Sequence, residues 1–176
     1  MGDMGDRATP LLGSLLFVVV VPGTVAVLIP AAITRWTLAA WGSWPLVVAI
    51  SAGLIIAGAG VLLHAVWRFA VEGRGTPSPT APTEQLVVSG AYRHVRNPMY
   101  VAVASLIGGQ ALLSPSLGIV LYLALFAVAV TAFVRFYEEP TLQAAHGESY
   151  HRYQEAVPRW VPRLRPWPGP TRPDAV

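Results

Sequence analysis

Polar and apolar positions separate into long blocks along this chain rather than alternating within short ones. Residues 11–33, 46–67, 99–113 and 117–137 are runs that are almost entirely apolar and hold no charged side chain except at their last positions or beyond. A bilayer core needs roughly 20 residues of helix, so these runs predict about four transmembrane helices. The first should be bent or shortened by Pro22, Gly23 and Pro30, because proline removes an amide donor and crowds the preceding turn. In the second, Ala49, Gly53 and Ala57 fall four apart, the spacing that lets membrane helices approach closely. The third is short, about 22 Å at the usual rise. Only Ser114-Pro115-Ser116 separates it from the fourth, so an antiparallel hairpin is expected.

Arginine placement gives the expected orientation. Eleven of the twelve arginines lie at the N-terminus, between runs two and three, or from the end of run four onward; Arg35 alone lies on the other side. Basic loops stay in the cytoplasm, which places both termini and the middle loop there. Trp36, Trp41 and Trp44 then sit at the opposite interface. The first run follows Asp3, Asp6 and Arg7 and is too long for a leader, so it reads as a retained span.

Composition sharpens this picture. The 176 residues are 54% hydrophobic and 12% charged, with a formal charge of +3, no lysine and no cysteine. About 25% charged is usual for a soluble domain, so a disordered chain and a nucleic-acid-binding tail are excluded. Without cysteine there is no disulfide, thiolate nucleophile or Cys-ligated metal. The four histidines lack metal-ligand spacing, so no metal is expected. Gly58-Ala59-Gly60, inside an apolar helix with no preceding strand, reads as packing rather than a nucleotide loop.

Candidate chemistry is confined to two stretches on the arginine-rich side. The first follows a proline-rich linker at 76–83 and contains Gln85 through Tyr92, then Arg93 through Tyr100. Gly90 suits a turn with positive φ, Pro98 the first turn of a helix, and Asn97 its cap. The second opens with Arg135, Glu138 and Glu139. Two carboxylates ending an apolar helix are costly unless hydrated or paired, and Arg135 lies three and four residues before them, so an Arg–Glu pair on one helical face is expected. The alternative is an acid that holds a ligand amine or hydroxyls, with an arginine for a carboxylate or phosphate. Leu142, His146, Tyr150, Tyr153 and Val157 recur at helical spacing, predicting an amphipathic surface helix interrupted at Gly147. The proline-rich residues 157–163 should fold back over the site or the lipid headgroups.

Taken in order, Leu86-Val87-Val88-Ser89-Gly90-Ala91-Tyr92, Arg96-Asn97-Pro98-Met99-Tyr100, a hairpin, Glu138-Glu139 with Leu142, Gly147-Glu148-Ser149-Tyr150 with Tyr153, and Val157-Pro158-Arg159 resemble the isoprenylcysteine carboxyl methyltransferase family and its relatives, the phospholipid methyltransferases. The resemblance covers roughly residues 86–162. It implies one all-α integral membrane domain over 1–176, with a cofactor core at about 84–162, in a bacterial inner membrane with its site facing the cytoplasm. The implied activity is methyl transfer from S-adenosylmethionine to a lipophilic acceptor such as a prenylcysteine-like carboxylate, a phospholipid amine or a small thiol. By position, the resemblance places Gln85, Leu86 and Val87 on the adenosine, Tyr92, Asn97, Pro98, Met99 and Tyr100 along the next wall, and Glu138 on the cofactor's amino group or ribose. Arg135 stands one residue off the register of a substrate-orienting arginine in eukaryotic members. The family often has His at Asn97, and an amide cannot carry charge. A carboxylate acceptor needs no base; an amine must lose a proton, for which Glu139 is the candidate. Partners are then membrane lipids and the acceptor, with no nucleic acid. A non-catalytic four-helix membrane scaffold is the competing class.

Overall fold

The computed structural model describes residues 20–38, 44–72 and 86–169. The N-terminal part of the first apolar run, Trp41, the proline-rich linker and Gln85 lie outside the described residues. Among the described residues the chain is helical, with no strand. Helix α1 covers Val20–Thr34, α2 Pro45–Glu72, α3 Pro98–Leu113 and α4 Leu117–Phe133. A 3-10 turn at Gly90–Arg93 precedes α3. Helix α4 runs through a wider π turn, Val134–Glu138, into α5, Glu139–Ala156. Gly147 breaks α5 with φ 51° and ψ −123°, where the sequence places its interruption.

Among the described residues, two helical segments are long and apolar enough to cross a membrane: Pro45–Arg68 and the apolar part of Leu117–Ala156. Helices α1 and α3 are shorter apolar helices. Leu46, Ile56 and Leu63 on α2, and Leu117, Leu125 and Val128 on α4, are exposed. Large side chains turned outward along whole helices suit a hydrocarbon surround, since water would penalise so broad an apolar surface.

The core lies where α1 to α4 meet, around Ala26, Leu62, Ala102, Val103, Ile107 and Ile119. Pro30 has no amide hydrogen, so the π turn at Thr24–Leu28 leaves carbonyls on α1 without helical partners. Side chains from other helices fill this need: Gln110 Nε2 donates to the Ala26 carbonyl at 2.6 Å and the Tyr122 hydroxyl to the Val25 carbonyl at 2.7 Å. In an apolar surround, where no water can satisfy these oxygens, such bonds fix α1 against α3 and α4. The hairpin turn is tied to the end of α1 by Ser114, whose hydroxyl donates to the Thr37 carbonyl. Ser116 caps α4 by accepting from the Ile119 amide.

Small residues do bring α2 and α3 together, but not the expected ones. Ala49, Gly53 and Ala57 face outward, and nothing lies within 4 Å of a Cβ at Gly53. The contact is at Gly58, where a Cβ would lie 2.8 Å from the Ala102 carbonyl oxygen, and at Gly109, where it would meet Ile55 and Ser51. The buried face runs through Ser51, Gly58, Leu62 and Ala65, so helix rotation turns the regular stripe away. Gly58→Leu should therefore destabilise the protein by about 1–3 kcal/mol through overpacking against backbone, whereas Gly53→Leu should leave the thermal midpoint in detergent close to that of the wild type. Equal tolerance of the two substitutions would refute the close approach.

Candidate functional site

Polar side chains meet at one end of the bundle because two distant segments fold onto each other. The tail after α5 runs back along residues 92–97. The Arg96 amide donates to the Pro158 carbonyl, Arg163 to His94 and Trp167 to Arg93, each at 2.9 Å. The Tyr153 hydroxyl donates to the Tyr92 carbonyl at 2.7 Å. Tyr150, Tyr153 and Val157 form a small core with Leu86, Val88, Leu142 and Trp167. Gly90 makes the turn possible: its φ is 54°, and a Cβ there would collide with His64 of α2.

Asn97 precedes α3 as expected of a cap, but its side chain makes no cap hydrogen bond. Its Nδ2 instead donates to the Arg159 carbonyl at 3.1 Å, so the residue ties the helix start to the tail.

Beneath this layer a cavity extends into the bundle. Its polar part is lined by Tyr92, Arg96, Asn97, Tyr100, Glu138, Glu139, Tyr150 and Tyr153. Its apolar part is lined by Val21, Pro22 and Val25 of α1, Leu62 and Val66 of α2, Val103 of α3 and Phe126 of α4. Leu86, Val87, Pro98, Met99 and Leu142 complete the wall. Leu86, Val87, Tyr92, Asn97, Pro98, Met99, Tyr100 and Glu138, all singled out in the sequence, are thus brought to one cavity.

The two adjacent carboxylates have different surroundings. Glu138 accepts a hydrogen bond from the Tyr100 hydroxyl at 3.1 Å. Glu139 is buried and clamped by two arginines. Arg159 donates to it through Nε at 2.9 Å and Nη2 at 2.7 Å, and Arg96 Nη1 lies 3.2 Å from Oε1. The hydrogen bonds to Glu139 hold the Arg159 guanidinium above its ordinary pKa, as a charge-assisted bidentate pair should. Burial, with Tyr153, Glu138 and Tyr100 nearby, pushes the Tyr92 phenol well above its usual value, so Tyr92 is a neutral wall.

The expected Arg135–Glu pair does not form. Arg135 is exposed and outside the cavity lining, while both glutamates have the partners just described. The cause is the π turn from Val134 to Glu138: its wider winding breaks the i, i+3 and i, i+4 spacing on which the pairing rested. Such turns inside helices often accompany functional sites. Reasoning from sequence also assigned no role to Arg96 or Arg159 as partners of Glu139. Both lie in recognised motifs, but no spacing rule connects positions 96, 139 and 159.

The family model for phospholipid methyltransferases matches residues 46–149, more than half of the chain. That span takes in α2, the cavity-lining segment before α3, the hairpin, both glutamates and the start of α5. No curated protein and no solved structure matches the chain.

Proposed function

This chain belongs to the phospholipid methyltransferase family, and on that premise we propose that it is a membrane methyltransferase that uses S-adenosylmethionine and a lipophilic acceptor. The observation that carries the reading is the two-part character of one cavity: a polar end with Glu138 and Tyr100, continuous with an apolar end built from α1, α2, α3 and α4. A polar cofactor and an acceptor with a hydrocarbon body need these two environments side by side.

The lining fits the cofactor chemically. Glu138 can hold an ammonium or ribose hydroxyls, with Tyr100 fixing its orientation. Leu86, Val87, Pro98 and Met99 offer apolar surface for an adenine ring, and Tyr92 and Asn97 border it; Gln85 joins them in this proposal by its place in the sequence. When bound, the cofactor supplies a methyl group on a sulfonium, a donor that needs no further activation. The protein's task is then alignment and exclusion of water. The tail layered over residues 92–97 and the apolar walls below do the second.

Glu139 carries no free role as a base in this reading, because both of its carboxylate oxygens are already engaged by the guanidinium groups of Arg159 and Arg96. A carboxylate acceptor, as in a prenylcysteine, needs no base. A phospholipid amine is the second reading, favoured by the family's description; its proton would fall to Glu138 or to water. Arg135 is left outside the machinery. We place four spans in the membrane, with the arginine-rich ends and the site in the cytoplasm, on the basis of the arginine distribution.

Calorimetric titration of the detergent-purified protein with S-adenosylmethionine and S-adenosylhomocysteine tests the proposal. Saturable binding of both is expected, followed by transfer of labelled methyl to a prenylcysteine analogue or phosphatidylethanolamine. A folded protein that binds neither compound would overturn the reading in favour of a non-catalytic membrane scaffold.

A further inference from the structure

Arg96 is positioned for more than its ion pair. Its Nη1 faces Glu139 and its backbone amide is taken by Pro158, yet its Nε is buried and meets no acceptor among the described residues. Arg96 is also among the residues that line the cavity. Buried guanidinium donors are nearly always satisfied, because desolvating one without an acceptor is unfavourable. Arg96 and Arg159 share the carboxylate of Glu139, and the other carboxylate of the cavity, Glu138, is bonded to Tyr100 rather than to either guanidinium. Glu138, whose polar partner is the neutral Tyr100 hydroxyl, lines the cavity too and carries the opposite sign.

We propose that Arg96 is the anion seat of this cavity, its Nε–H donating to a carboxylate or phosphate oxygen of a ligand whose cationic group lies at Glu138. The inference rests on the methyltransferase reading and deepens it. The ligand part held here is zwitterionic. Two sources offer that chemistry: the amino-acid end of the cofactor, and the headgroup of an aminophospholipid. A guanidinium suits either, since its planar donors match carboxylate and phosphate oxygens. Arg159 is then a positioning residue that neutralises Glu139 and leaves the Nε edge of Arg96 available.

The test uses the full chain in a nonionic detergent and compares wild type, Arg96→Lys and Arg159→Lys. Lysine at 96 keeps a cation for Glu139 but has no Nε–H. Two probe pairs are titrated: S-adenosylhomocysteine against its decarboxylated analogue, and dodecyl phosphate against dodecanol. If the cofactor supplies the anion, the wild type should prefer the carboxylate-bearing compound by about tenfold or more, and Arg96→Lys should reduce that preference to within about threefold. If a lipid phosphate supplies it, the preference for dodecyl phosphate should collapse instead. Arg159→Lys should retain whichever preference the wild type shows. Wild-type preferences that survive Arg96→Lys, a wild type with no preference in either pair, or an equal loss in Arg159→Lys would each overturn the inference. A wild type that binds neither adenosyl compound defeats the methyltransferase reading separately, and the phosphate pair then still decides the anion seat. Should Arg96→Lys lose its cooperative melting transition, Arg96→Gln, neutral and of comparable reach, is titrated in its place under the same criteria.

Discussion

Glu138→Gln is expected to weaken binding of S-adenosylhomocysteine by roughly 30- to 150-fold, equivalent to about 2–3 kcal/mol for a charge-assisted hydrogen bond in a dry site. Glutamine keeps the volume of the side chain and an oxygen for the Tyr100 hydroxyl, which donates at 3.1 Å, so the thermal midpoint without ligand should barely move. What should shrink is the rise in midpoint at a fixed ligand concentration, because that rise grows with the ratio of ligand concentration to Kd. Tyr100→Phe removes the orienting donor and leaves the charge, so a smaller loss of about tenfold or less is expected. Titration of the three proteins side by side checks the order. Glu138→Gln binding as tightly as wild type would remove Glu138 from the cofactor site.

Glu139→Ala should act on the fold rather than on affinity. It would leave Arg96, with its side chain 11% exposed, facing the 30% exposed Arg159 without a counter-ion. Removing one partner from a buried ionic cluster destabilises by about 3–5 kcal/mol. The tail should loosen with it, since Arg159 is also where Asn97 fastens the chain. Trypsin should then cut after Arg159 or Arg163 faster than in the wild type. Arg159→Ala should be milder, because that side chain is the most exposed of the three. A catalytic base at this position would behave differently: Glu139→Gln would keep stability and tail protection, and lower kcat. Thermal denaturation, proteolysis and kcat measured on the same variants separate the two.

Much of this architecture is legible in the order of residues. Helices α2, α3 and α4 follow their apolar runs closely. Ser114-Pro115-Ser116 turns the hairpin, Gly90 adopts positive φ, and Gly147 breaks the amphipathic helix. The ordered motifs also bring nine of the candidate site residues, Glu139 among them, to one cavity. Each of these features depends on neighbours within a turn or two: an apolar run, a missing amide hydrogen, a glycine without Cβ.

Register and long-range pairing lie beyond such rules. The sequence by itself determined a helical membrane chain of this family and the stretches that come together around one cavity. Only the tertiary structure decided that Gly58 rather than Gly53 meets α3, that a π turn carries Arg135 away from Glu138 and Glu139, and that Arg96 and Arg159 close on Glu139 across 43 and 20 positions of chain. The physical reason is rotation. About 100° separates successive residues on a helix, so one irregular turn re-aims every side chain after it, and which partners then meet depends on segments far away in sequence.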